Sequence, residues 1–251
     1  MAIDKNSTGY IYTFTFVLVA IVAVVLAGLA EGLKPMQNEN IANEKRKFIL
    51  MASGLVERDA SLSKEEITEQ FNAKMVTSAV LVYQEDGSVV EAEGENAFGI
   101  DIVKEYKAHA DAKDRRYPIF VMKNDAGEIK FVIPMAGKGL WGPIWAYAAI
   151  DSDANSFVGA VFDHKSETPG LGGEIKDGAY FYEQFDKENG KKLRNAEGKY
   201  KGIKAVKGGA APDDINGVDA IAGATITSVG ASTMMQESFK AYMDYMENFK
   251  E

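Results

Sequence analysis

The sequence contains no cysteine. Disulfides, cysteine-ligated iron–sulfur clusters and thiol catalysis are therefore excluded for this chain. Histidine is nearly as scarce: His109 and His164 are the two present, far apart, which speaks against a histidine-built metal site. No metal ligand set is assigned. Positive charge is also short. Against 37 Asp and Glu stand 28 Lys and Arg, a formal net charge of −9, and no basic stripe interrupts the excess. A nucleic-acid partner is not expected from such a balance. Internal repeats and low-complexity linkers are absent as well. What remains is a chain of 251 residues, 46% hydrophobic and 26% charged, enough for one large domain or two small ones with a real core.

One hydrophobic run is long. Residues 11–30 carry no charge and include Phe14, Phe16, Val17, Leu18, Val19, Ile21, Val22, Val24, Val25 and Leu26. About 20 helical residues cross a bilayer core, and Tyr10 and Tyr12 stand where interfacial aromatics belong. Glu31 and Lys34 end the run. A cleaved signal peptide is the competing reading, with Gly28-Leu29-Ala30 as its small-x-small site. The length of the run, and Asp4 offsetting Lys5, favour an anchor. Lys34, Lys45, Arg46 and Lys47 follow the span and only Lys5 precedes it, so the positive-inside count would leave the large domain in the cytoplasm.

Beyond the anchor, 38–55 has helical periodicity through Ile41, Phe48 and Leu55. Ser63-Lys64-Glu65-Glu66 has the form of a capping box, with Ile67, Phe71 and Met75 on one face of the helix that follows. Strand character is found at 76–84, 89–90, 117–123, 129–133, 148–150, 156–162 and 202–206, with hairpin turns at Asp86-Gly87 and Asn124-Asp125-Ala126-Gly127. The pattern at 99–107 fits either a helix or a strand. A short helix is expected at 180–185 and a long one over 229–249, with Val229, Phe239, Tyr242, Met243 and Met246 as its buried stripe. Short hairpin-like connections predict an α+β domain built on a mainly antiparallel sheet with flanking helices. The expected divisions are a short segment 1–10, a transmembrane helix 11–30, a helical linker 31–60 and an external domain 61–251.

Three stretches carry chemistry. In Asp219-Ala220-Ile221-Ala222-Gly223-Ala224-Thr225-Ile226-Thr227-Ser228, Gly223 and Ala224 leave the backbone open to close approach. Thr227 or Ser228 is the expected cap of the following helix, whose free N–H groups would suit a phosphate. An ordinary capped loop would look the same. In Gly137-Lys138-Gly139-Leu140-Trp141-Gly142-Pro143-Ile144-Trp145, three glycines, a proline and both tryptophans crowd nine residues. Neither a regular helix nor a central strand is expected there. The tryptophans either wall a flat ligand or anchor the core. In His164-Lys165-Ser166-Glu167-Thr168-Pro169-Gly170-Leu171-Gly172-Gly173, a turn at Pro169-Gly170 precedes glycines that admit a ligand. Glu167 is either a pocket residue or a loop-bracing acid, and His164 reads as structural.

The first stretch resembles the flavinylation motif D-x-x-[S/T]-G-A-[T/S] of the FMN-binding subunits of bacterial respiratory pumps, departing from it at Ala222. The other two resemble the GLWGP and ETPGLG stretches of the same family. That resemblance implies FMN bound covalently, through its phosphate, to Thr225. Gly223, Ala224, Thr227, Ser228, Glu167, Thr168, Gly170, Leu171, Gly172, Leu140, Trp141 and Gly142 would form the pocket. It also implies an electron-transfer role with no catalytic residues of the chain's own. The partners implied are other membrane subunits and a flavin transferase. The location implied is the bacterial inner membrane, crossed once, with the large domain periplasmic, against the charge count. No histidine or cysteine lies in the motif to activate the threonine, which agrees with attachment by a separate enzyme. Length and the segment before GLWGP favour the C subunit of the sodium-translocating NADH:quinone oxidoreductase. The G subunit of the ferredoxin-using electron-transport complex is the alternative. Rivals of other classes are a membrane-anchored solute-binding protein without flavin and an assembly subunit in which the motif is only a helix cap.

Overall fold

The computed structural model describes residues 7–250. The first six residues of the expected segment 1–10, Asp4 and Lys5 among them, lie outside the described residues. The chain divides into two compact units, Met1–Lys45 and Arg46–Glu251.

From Thr8 onward the first unit is helical. It holds most of α1 (Thr8–Ala52), which is long and apolar enough to cross a membrane. Its apolar side chains point outward; Phe16 and Val24 are 75% and 72% exposed. Pro35 lies inside the helix without ending it. Helix α1 runs on through Glu31 and Lys34 and takes in most of the helix expected at 38–55.

The second unit begins with the end of α1, followed by α2 (Lys64–Lys74), β1 (Met75–Tyr83), β2 (Val89–Glu91), α3 (Ile102–Ala108), β3 (Tyr117–Lys123), β4 (Ile129–Lys138), β5 (Pro143–Asp151) and β6 (Phe157–His164). Short helices α4 (Glu174–Asp177) and α5 (Ala179–Tyr182) come next, then β7 (Lys204–Val206), β8 (Gly217–Asp219), α6 (Thr225–Ser238) and α7 (Met243–Asn248). The first six strands pair in the order β2-β1-β3-β4-β5-β6, antiparallel throughout. Strands β7 and β8 form a separate parallel pair. The ambiguous stretch near 99–107 resolves as a helix, with Asp101 capping it through the N–H groups of Val103 and Lys104.

Side chains alternate across the sheet, and both faces are covered. On one face Ile119, Val121, Ile133 and Ala148 meet α5, α6 and the C-terminal segment. On the other, Phe120, Met122, Val132 and Ala149 meet Ile49 and Leu50 of α1 and Phe71 of α2. Phe71, Phe98 and Phe120 form a ring triangle there, with centroids 5.6, 6.5 and 6.3 Å apart. Residues 46–56, inside the expected linker, thus belong to this core.

The expected long helix over 229–249 starts earlier and is interrupted. A 3₁₀ turn at Phe239–Ala241 separates α6 from α7. Phe239 and Tyr242 are both fully buried, and 3₁₀ geometry brings positions three apart onto one side. The Tyr242 hydroxyl donates to the carbonyls of Pro118 (3.2 Å) and Pro134 (3.3 Å), where β3 and β4 run past their last paired residues.

Candidate functional site

The stretch 219–228 leaves β8 and enters α6. Gln184 holds its start: the Asp219 N–H donates to Gln184 Oε1 (2.6 Å), and Gln184 Nε2 donates to the Asp219 carbonyl (3.3 Å). The Asp219 carboxylate accepts from the Ala210 N–H (2.7 Å) and so ties down the preceding loop. The chain then turns at Gly223, whose φ of +75° suits glycine.

Helix α6 begins at Thr225 itself, not after Ser228. Its N-cap, Ala224, makes no side-chain cap bond. The first intrahelical bond runs from Ser228 N to the Ala224 carbonyl (3.0 Å), so the N–H groups of Thr225, Ile226 and Thr227 precede it. The expected capping by Thr227 or Ser228 does not occur, because both side chains turn inward. Ser228 Oγ donates to the Ala224 carbonyl and accepts from the Ile221 N–H, each at 3.0 Å, closing the turn on itself. Thr227 Oγ1 donates to Glu167 Oε2 (2.6 Å). Thr225 is exposed.

The run 137–145 is a β-hairpin. Strands β4 and β5 pair from Lys130↔Asp151 to Lys138↔Pro143, and the Gly139 N–H donates to the Gly142 carbonyl (2.8 Å). The expectation that no central strand could pass here is corrected. Gly137, Lys138, Pro143 and Trp145 are strand residues; Pro143 stands at the first position of β5, where a proline is tolerated. Leu140 and Trp141 form the tip, 47% and 67% exposed, so Trp141 does not anchor the core.

Glu167 joins these pieces. It is 4% exposed, and its Oε1 accepts from the Trp141 N–H (2.8 Å) while Oε2 takes the Thr227 hydroxyl. Its own N–H donates to His164 Nδ1 (3.1 Å). Burial pushes the carboxyl up, but the Thr227 hydroxyl and the N–H groups of Trp141, Leu140 and Gly142 hold it below its usual range. Gly172 and Gly139 leave it room, since a Cβ on either would collide with its carboxylate oxygens. Thr168, Gly170 and Leu171 belong to the loop beyond. Gly170 and Leu171 are exposed there, and a Cβ on Gly223 would lie 2.8 Å from Leu171 Cδ2. Thr168 is exposed as well.

The structure therefore brings the three stretches together. Thr225, Gly223, Leu140, Trp141, Thr168, Gly170 and Leu171 are at the surface. Ala224, Thr227, Ser228, Glu167 and Gly172 lie beneath it, and Gly142 is half-buried. Val229, expected in the buried stripe of the C-terminal helix, is instead 53% exposed, because that helix starts at Thr225; with Ile226, 59% exposed, it extends the apolar surface along α6. Gln184 also escapes the motifs; its partner is 35 residues away in sequence. An exposed hydroxyl at an uncapped helix start, beside exposed apolar side chains, fits a phosphate-bearing flat ring.

A family model described as an FMN-binding domain matches residues 139–240, from the hairpin tip through α6. The chain is 31% identical to the C subunit of the Na(+)-translocating NADH-quinone reductase of Neisseria meningitidis serogroup A, over 98% of this chain and 96% of that one. A crystal structure of the corresponding C subunit from Parabacteroides distasonis has a TM-score of 0.70 and 34% identity, covering 87% of this chain and 98% of that one. NqrC of Shewanella oneidensis has a TM-score of 0.64 and 26% identity, covering 83% and 98%. The chain belongs to the family of the C subunits of the Na(+)-translocating NADH-quinone reductase.

Proposed function

We propose that this chain is the flavin-bearing electron-transfer subunit of a sodium-translocating NADH:quinone oxidoreductase, with FMN joined through its phosphate to Thr225 Oγ1. The observation that carries the reading is the position of Thr225. It is the first residue of a 14-residue helix whose N-cap side chain makes no bond. The start of that helix would favour a phosphate on the hydroxyl by ~0.3–1 kcal/mol.

The remaining residues divide the work. Gly223 keeps the space before the acceptor free of a side chain. Leu140, Trp141 and Leu171 offer apolar surface against which a ring can shed water. When bound, FMN supplies one- and two-electron redox chemistry. The chain adds position and environment. Glu167 is committed to Thr227 and Trp141, and Asp219 to Ala210, so neither is disposed to activate Thr225. This supports attachment by a flavin transferase.

Membrane anchoring by residues 11–30 belongs to the same proposal, with the inner membrane crossed once and the large unit periplasmic. The length and outward apolar surface of α1 support the anchor. The side rests on the family resemblance, against the basic residues Lys34, Lys45, Arg46 and Lys47. Denaturing and washing the protein purified from its native membrane tests the covalent link. The polypeptide should keep a flavin spectrum; a colourless polypeptide would overturn the reading.

A further inference from the structure

We propose that Glu167 is a positioning residue for the flavin ring, holding the Leu140–Trp141 tip to the acceptor turn through Trp141 N–H and Thr227 Oγ1 without touching the cofactor itself. The inference rests on the reading that FMN is carried by Thr225.

Three observations carry it. The carboxylate is buried, whereas the tip on one side of it and the acceptor Thr225 on the other are exposed. Its two oxygens divide their bonds between the two sides, one to the hairpin at 2.8 Å and one to α6 at 2.6 Å, two residues after the acceptor. The glycines at 139 and 172 are both cut to its shape, since a Cβ at either would overlap a different carboxylate oxygen. Leu140 and Trp141 occupy a tip closed by the Gly139 N–H to Gly142 carbonyl bond, with Ser166 Oγ donating to the Trp141 carbonyl (3.4 Å); of these polar contacts, the one through Glu167 also reaches α6. Glutamine in its place retains both bonds: the amide oxygen accepts from Trp141 N–H, and the amide nitrogen donates to the Thr227 hydroxyl, which can turn to accept. Alanine retains neither.

The test compares the parent, Glu167→Gln and Glu167→Ala as full chains in detergent, produced together with the transferase. The mass of the Thr225 peptide reports attachment, and visible circular dichroism reports how firmly the ring is held. All three should carry FMN. The alanine variant should lose roughly half or more of the parent's flavin dichroism, whereas the glutamine variant should stay near the parent. Should Glu167→Ala fail to fold, Thr227→Val, which cuts one of the two ties, should show an intermediate loss. A second readout needs no flavin. In FMN-free Trp145→Phe protein, Trp141 is the remaining indole, and its fluorescence anisotropy should fall in the alanine variant. An alanine variant, or failing that Thr227→Val, with full FMN, unchanged dichroism and unchanged Trp141 anisotropy would overturn the proposal. Absence of FMN from the parent would overturn the attachment reading instead, leaving the anisotropy to decide whether Glu167 orders the tip.

Discussion

Thr227 Oγ1 donates to Glu167 Oε2 at 2.6 Å, a bond between residues 60 positions apart, both buried. It fastens the first turn of α6 to the loop after β6. Replacing Thr227 by Val keeps the shape and removes the hydroxyl, leaving a buried carboxylate oxygen short of a donor. The expected cost is about 1–3 kcal/mol. Urea unfolding of the full chain in detergent checks this; an unchanged midpoint would show that the bond contributes nothing net.

Helix α6 lies directly on the end of β4. A Cβ on Gly230 would overlap the Lys138 carbonyl oxygen, a backbone atom that cannot step aside. Gly230→Ala should therefore destabilise by roughly 1–3 kcal/mol, although alanine favours helices. It should also lower flavin loading, because the displaced helix carries the acceptor. A variant as stable and as fully loaded as the parent would contradict this packing.

Acid should weaken the fold through Asp151. Burial raises its pKa, but bonds from Lys130, Lys187 and the Ser152 N–H prevail and hold it at about 2. Lys130, itself nearly fully buried, lies 2.8 Å away. A carboxyl depressed in the folded state adds stability that is complete above its unfolded value and lost as pH falls through the folded one. Melting temperature should drop between about pH 4 and pH 2, and Asp151→Asn should flatten that part of the profile. Parallel profiles for the two proteins would remove Asp151 from the account.

The absence of cysteine makes orientation measurable with one substitution. Glu197 lies on an exposed turn of the large unit. In Glu197→Cys, a membrane-impermeant maleimide should label intact spheroplasts as fully as lysed ones. Labelling only after lysis would place the unit in the cytoplasm, as the charge count has it.

Local pattern reaches far in this chain. Strand β3 is readable to the residue at 117–123, and the Ser63 box forms with both of its bonds. The three stretches are readable because each packs small, turn-forming or aromatic residues together. What stays hidden depends on partners distant in sequence. Thr227 and Ser228 look like caps, since a hydroxyl near a helix start has no local mark to show that it faces Glu167 or a carbonyl instead. Gly137 and Pro143 look like loop residues, and only the long pairing of β4 with β5 makes them strand. The glutamine that clamps Asp219 carries no local signal at all.

The tryptic peptide spanning residues 208–240 tests flavin attachment at Thr225 most directly. Taken from protein in its native membrane, that peptide should carry the mass of one FMN less one water, with fragment ions placing it at Thr225, and Thr225→Val should abolish it. An unmodified peptide, or a flavin placed at Thr227 or Ser228, would contradict the account.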